Sequence, residues 1–488
     1  MTHAVRSHGF TALGPLHEAF ARLTGWPAVI TSLLLGAFSS VAFAPFHFSA
    51  VLVISFTCLI WMLDGARGHR KWGKAVFLRT WAFGAGFFLI SMHWTAAPFL
   101  VEPEKHAIFL WMPLILLPGG MALIWGAFGA MAGAFWSSSP SRIFIFALFF
   151  ALAEYVRGHL FGGFPWNLPG TTWIPGGALS QTASIGGVYW LTLVTVFIMS
   201  APAALVDTRE SRQLAVRIAP VFAAVILLAL GWTWGAQRIA QPSAQSDQFV
   251  VLMDSGVPQN EKWEIGPDPI LIEYLRMLST QEGEAGDIIL WPEGALPTTL
   301  LQDANALDAV GAYLGPRELI AGTTRYEITG KNTRDYYNSL TVIDENAIRS
   351  GPVALYDKHR LVPFGELPAT RIIPFGEALS GILPGAIQRM ASDGFRPGPG
   401  PAVIYADDIP PFVAMICYEG LYPSIPRNAN LGARADWLVL ISNDAWFGGG
   451  MGPAQHYAQN RYRSIETGLP MARVASRGAS AIVDGLGR

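Results

Sequence analysis

Hydrophobic and polar positions are unevenly distributed along this chain, and the texture changes near its middle. Before about residue 238, long runs carry no Asp, Glu, Lys or Arg: 23–63, 80–101, 106–141, 158–206 and 218–237. A bilayer-spanning helix needs ~20 such residues, and Pro45 divides the first run in two. The pattern predicts seven spans, near residues 27–45, 48–65, 80–99, 107–136, 143–160, 184–206 and 217–238. The fifth is the most polar, with Glu154 and Arg157 near its end. A charge at a span's centre costs about 2.5–3.5 kcal/mol on insertion scales, so these two are expected at the interface or paired at i, i+3. The stretch GGFPWNLPGTTWIPGG (162–177) holds too much Gly and Pro to be helical throughout.

After a polar stretch at 239–248, charges return and short apolar runs alternate with Gly/Pro turns. That alternation reads as α/β. Strands are expected at 249–253, 287–294, 318–322, 339–344, 353–358, 412–417 and 437–444, and an amphipathic helix at 269–278. Three of the strands end in reactive side chains: Glu293 after IILWP, Lys358 after ALYD and Cys417 after VAMI. The carboxyl end of a strand is where an α/β enzyme places its chemistry.

Composition sharpens this picture. The 488 residues are 51% hydrophobic and 14% charged, against roughly 25% charged in soluble proteins. The balance is that of a membrane protein, and a net charge of −2 implies no nucleic-acid surface. Arg6 and Arg22, then Arg67, Arg70, Lys71, Lys74 and Arg79, then Arg142, then Arg209, Arg212 and Arg217 make alternate loops basic. By the positive-inside rule the amino terminus is cytoplasmic, and with seven spans the second half lies on the outer face. The apolar part of segment 1–22 is too short for a cleaved signal, so the first span is expected to be retained. The domains expected are a cytoplasmic segment 1–22, a helical bundle 23–238, a linker 239–248 and an α/β domain 249–488.

The only cysteines are Cys58, within a span, and Cys417. A lone free cysteine is commonly a small buried hydrophobe, but Cys417 has company. A thiol is only a few per cent thiolate near pH 7. A glutamate in an apolar setting, as beside Trp291 and Pro292, can take its proton, and a lysine can hold the thiolate and then an oxyanion. Spacing alone leaves open a Schiff-base role for Lys358. No metal-ligand spacing or phosphate-binding glycine loop is present, and no cofactor is expected.

WPEGALP, YDKHRLVPFGE, ICYEG and SNDAWFG, in that order, resemble the Glu-Lys-Cys motifs of the nitrilase (carbon–nitrogen hydrolase) superfamily. With the membrane half and its EYVRGHLFGGFPWNLPG, the chain resembles the apolipoprotein N-acyltransferase family over most of its length. The resemblance implies a polytopic helical bundle carrying an extracytoplasmic αββα sandwich in the bacterial inner membrane, its catalytic domain periplasmic. It implies transfer of an acyl chain from a phospholipid, through a cysteine thioester, to the α-amine of a diacylglyceryl-cysteine on an apolipoprotein. Residue by residue, it implies Glu293 as general base, Lys358 as oxyanion-stabilising cation and Cys417 as nucleophile. Glu366, Trp263, Tyr418 and Glu419 match supporting or substrate positions. For Trp263 and Glu419 the simpler readings are an interface tryptophan and a surface acid. The chain departs from the pattern at Asp254, Ser255 and Gly256 and at Ser476 and Arg477, with Arg477 a large charge in what should be a packed turn. The family continues past this point with further strand, an extended arm and an eighth span, so the chain is expected to be shortened or divergent. Two other readings remain: a membrane-tethered amidase using the same residues, and an inactive homologue with a binding or assembly role.

Overall fold

The computed structural model describes residues 13–67, 71–206, 214–242, 246, 248–281, 287–330, 333–363, 365–367 and 394–488. Of the loop charges used for orientation, Arg6, Arg70, Arg209 and Arg212 lie outside them. Two compact units divide the chain, Met1–Gln241 and Pro242–Arg488.

The first unit is helical. Among the described residues, five segments are long and apolar enough to cross a membrane: Gly25–Ala42, Trp72–Ser91, Ala107–Ala134, Leu179–Leu205 and Leu214–Ile239. Val51–Ala66 and Ser141–Arg157 are shorter, at 16 and 17 residues. The third expected span starts earlier than charge avoidance suggested. Its helix, Trp72–Ser91, takes in Lys74 and Arg79 and stops where His93–Leu100 tightens into a 3-10 turn. Arg79 is tolerated because it is buried, donating to the carbonyl oxygens of Leu23, at 2.7 Å, and Met62. Glu154 and Arg157 are paired at i, i+3: Nε donates to Oε1 at 2.7 Å and Nη2 to Oε2 at 2.5 Å. Trp125 Nε1 donates to the same Oε1 at 2.7 Å. Partnering of this kind is what permits charge at membrane depth.

The second unit is α/β. One sheet runs β1 (Val250–Leu252), β2 (Ile288–Leu290), β3 (Glu318–Ile328), β4 (Arg334–Ile343) and β5 (Ala354–Asp357). The other contains β6 (Val403–Ala406), β7 (Ile409–Ile416), β8 (Trp437–Asn443), β9 (Met471–Ser476) and β10 (Ala481–Val483), in the order 10-9-8-7-6. Strands β1–β3 and β7–β9 are parallel, and the flanking pairs antiparallel. The period of two in each strand builds two cores. Ile288, Leu290, Ile320 and Val342 meet Ala414, Ile416, Val439 and Val474 between the sheets. Ile289, Leu319 and Ala321 point the other way, onto Tyr274, Leu278 and Val310 of helices Pro267–Thr280 and Ala304–Leu314. Burial on both faces explains why the parallel strands read as unbroken apolar runs. β6, β9, β10 and the helix Met451–Thr467 were not among the expected elements.

Candidate active site

Cys417 directly follows β7, whose last five residues are fully buried. It opens the tight turn Cys417–Leu421, itself buried throughout, with φ of +50°. A non-glycine residue there is strained by roughly 1–3 kcal/mol, and such strain clusters at functional sites. Glu293 follows β2 through Trp291 and Pro292, and its turn lies directly over Gly322 of β3. A Cβ at Gly322 would stand 2.5 Å from the Glu293 Cα, so only glycine admits this turn. Lys358 follows β5, wholly buried.

Hydrogen bonds assemble these ends. Lys358 Nζ lies 3.2 Å from Glu293 Oε1 and 2.9 and 2.8 Å from the two oxygens of Glu366. Asn338 Nδ2, from β4, donates to Glu293 Oε1 at 2.7 Å and Glu366 Oε1 at 2.8 Å. The Asn443 backbone N–H, at the end of β8, donates to Glu293 Oε2 at 2.9 Å, which joins the two sheets. Burial pushes the Cys417 thiol well above the ordinary thiol range; Glu293 adds to this and Lys358 opposes it. Burial alone would lower the Lys358 ammonium, but Glu293, Glu366 and Cys417 hold it protonated, above its ordinary value. One cation thus sits between two carboxylates, next to the thiol.

The remaining expected residues separate. Glu419 is no surface acid. It is completely buried; its Oε1 accepts the Tyr356 hydroxyl and the His359 and Arg360 N–H groups, each at 2.9 Å, and its Oε2 the Ile416 N–H at 2.9 Å. It therefore ties the segment carrying Lys358 to the strand carrying Cys417. Tyr418 is buried, its ring edge-on to Tyr422. Trp263 is 69% exposed on the short helix Gln259–Ile265. That helix is nonetheless anchored at the site, since Asn443 Nδ2 donates to Gln259 Oε1 at 2.9 Å and Lys262 Nζ to the Gly294 carbonyl. Burial lowers the Lys262 ammonium to about 8, against Asp254 and Glu293.

The departures at 254–256 and 476–477 meet each other. Asp254 accepts the Ser476 hydroxyl at 3.0 Å and the Arg477 N–H at 3.1 Å, and Arg477 Nη1 donates to the Gly256 carbonyl at 3.2 Å. The Arg477 side chain is exposed rather than packed, and the contact closes the ends of β1 and β9 together. Sequence reasoning missed Asn338 and Asn443; the signal for the second was present in the motif SNDAWFG. Among the described residues no three His, Cys, Asp or Glu side chains are arranged to hold a metal ion.

Two facing parallel-centred sheets, with Glu, Lys and Cys at adjoining strand ends, define a domain of the carbon–nitrogen hydrolase class. The model of that family, described as "Carbon-nitrogen hydrolase", matches residues 280–488. The model described as "Apolipoprotein N-acyltransferase N-terminal domain" matches residues 35–201. An apolipoprotein N-acyltransferase of Rhodopseudomonas palustris is 32% identical, over 95% of this chain and 87% of its own. One from Caulobacter vibrioides is 35% identical, over 95% and 86%. Among solved structures, a nitrilase-superfamily amidase of Nesterenkonia aligns over 51% of this chain and 87% of its own at 14% identity, with a TM-score of 0.32, too slight a likeness to argue from. The chain belongs to the apolipoprotein N-acyltransferase family. It is a bacterial membrane acyltransferase of lipoprotein biosynthesis, and its relatives favour neither simple amide hydrolysis nor an inactive role.

Proposed function

We propose that Cys417 carries the acyl chain as a thioester between a phospholipid donor and the α-amine of a diacylglyceryl-cysteine at an apolipoprotein's amino terminus. The observation that carries this reading is Lys358, buried between two glutamates beside a strained, buried thiol.

In the first half-reaction Glu293 takes the thiol proton and sulfur attacks the ester carbonyl carbon, forming the C–S bond. The Lys358 ammonium faces the resulting oxyanion. Collapse breaks the ester C–O bond, and Glu293 returns its proton to the leaving lysophospholipid oxygen. In the second, the acceptor amine attacks the thioester carbon and Glu293 takes a proton from nitrogen. The C–S bond then breaks, and the proton returns to sulfur. Two carboxylates at 3.2 and 2.8 Å favour the ammonium form of Lys358, and with it the oxyanion role over that of a Schiff-base amine. Trp263, exposed on a helix anchored at the site, is assigned here the role of covering the acyl chain, which its exposure supports. The bundle spans the inner membrane seven times with the α/β unit in the periplasm, where both lipid substrates present their reactive groups at headgroup level.

Intact-mass measurement tests this directly. The purified protein mixed with phospholipid gains the mass of one acyl group, released by hydroxylamine, and Cys417→Ser gains none, since an alkoxide is far harder to form than a thiolate. An equal acyl increment on Cys417→Ser would end the reading.

A further inference from the structure

The helix Met451–Thr467 is an anomaly: the face it buries is polar. Gln455, His456, Gln459, Asn460, Arg463 and Ser464 are all inaccessible or nearly so. Apolar residues would fill this space at lower desolvation cost, so the polar face calls for an explanation beyond stability.

His456, Asn460 and Arg463 lie at i, i+4 and i+7, one face of the helix, and that face backs the Cys417–Leu421 turn. His456 Nε2 lies 3.3 Å from the Cys417 carbonyl oxygen. Arg463 Nη1 donates to the Leu421 carbonyl at 2.7 Å. Between them, Gly420 passes so close that a Cβ there would stand 2.3 Å from Asn460 Nδ2. The imidazole is itself clamped. Its Nδ1 lies 2.9 Å from Asp444 Oδ1, and Arg473 Nη2 donates to Asp444 Oδ2 at 2.7 Å. Asp444 Oδ1 also accepts the hydroxyl of Ser442 at 2.7 Å, and Ser442 is in turn a hydrogen-bond partner of the Cys417 thiol. Each ring nitrogen faces an oxygen that can only accept, so a proton on Nε2 makes the Cys417 contact and a proton on Nδ1 the Asp444 contact. His456 and the Asp444 carboxylate are both fully buried.

We propose that His456, oriented by Asp444 and Arg473, is a positioning residue for acyl transfer. By donating to the Cys417 carbonyl it fixes the left-handed turn and so the direction in which the thiol points. Its nitrogen meets the backbone behind the nucleophile and never the substrate. The inference rests on the thioester reading above, and the test separates the two. Absence of acyl-enzyme in wild type is the failure of that reading, whereas the present proposal fails when wild type acylates and the variants keep its rate.

The test is single-turnover acylation by a glycerophospholipid with a radiolabelled acyl chain, in detergent micelles, for wild type, His456→Leu and His456→Gln. Leucine keeps the volume and removes the donor; glutamine restores an N–H near the Nε2 position. A misplacement of about 1 Å can cost ~100-fold in rate. We therefore expect the leucine variant to acylate 30- to 100-fold more slowly, with half-saturating lipid unchanged, and the glutamine variant to recover to within about fivefold of wild type. A purely structural role would instead lower the melting temperature of both variants while the folded fraction acylates at the wild-type rate; that result, or equal slowing by leucine and glutamine, overturns the proposal. Should His456→Leu fail to fold, the glutamine variant decides alone: a folded protein near wild-type rate supports the donor, and one slowed as much as 100-fold contradicts it.

Discussion

Glu293 and Glu366 share two donors, Asn338 and Lys358, yet their remaining lone pairs differ. Glu366 Oε1 accepts from both, and Oε2 accepts the Val362 N–H at 2.9 Å and lies 2.8 Å from Lys358. A carboxylate offers about four lone-pair sites, so Glu366 is saturated. Glu293 accepts Asn338 and Lys358 on Oε1 but only the Asn443 N–H on Oε2 among the described residues. It also acts on the thiol electrostatically. Glu293 thus has room for a proton in transit, while Glu366 holds Lys358. Glu293→Gln should cut acylation of Cys417 in single-turnover experiments by roughly 100- to 10,000-fold, the range expected when a general base is lost. Glu366→Gln should slow it by about 10- to 100-fold while leaving some thioester. The reverse order would exchange the two roles.

At the scale of elements, strand ends away from the site carry their own electrostatics. Glu318 opens β3 beside Asp344, which follows β4, and Asp407 and Asp408 of the β6–β7 turn. Burial, then the three aspartates, raise its carboxyl to about 7. A carboxyl raised in the fold above its unfolded value binds protons more tightly when folded, so stability is lost as pH climbs from about 4.3 to 7. Glu318→Gln should therefore raise stability by roughly 1 kcal/mol at pH 8 and leave it unchanged near pH 4. Thermal melts at both values check this, and equal shifts at both would contradict it. Elements also show where the sequence was readable. Parallel strands buried on both faces left apolar runs ending in Glu293 and Cys417, and the antiparallel strand β5 ends in Lys358; motif could find all three. Helix Met451–Thr467 could not be found that way, because a buried but hydrogen-bonded polar face has the same composition as a solvated one. Asn338 was hidden for the same reason, a polar residue within a strand. Arg79 displaced the third span because its two carbonyl partners are distant in sequence, Met62 in helix Val51–Ala66 and Leu23 in the connection before Gly25, which no local pattern records.

At the scale of the molecule, the fold brings a lipid-exposed bundle and a thiol site into one chain. The proposed topology makes a definite prediction. In a background lacking both native cysteines, a membrane-impermeant maleimide should label Ser279→Cys, on the α/β unit, in intact spheroplasts. Ser137→Cys, beside the basic Arg142 segment, should be labelled only after permeabilisation. Labelling of both from the same side would contradict the proposed arrangement. The most direct test of the central claim is a chase. Acyl-enzyme is formed with labelled phospholipid, freed of lipid, and given a peptide bearing an amino-terminal diacylglyceryl-cysteine. The label is expected to leave Cys417 and appear as an amide on the peptide's α-nitrogen, with the enzyme returning to its starting mass. Release of the label only as free fatty acid, with the peptide amine unmodified, would contradict it.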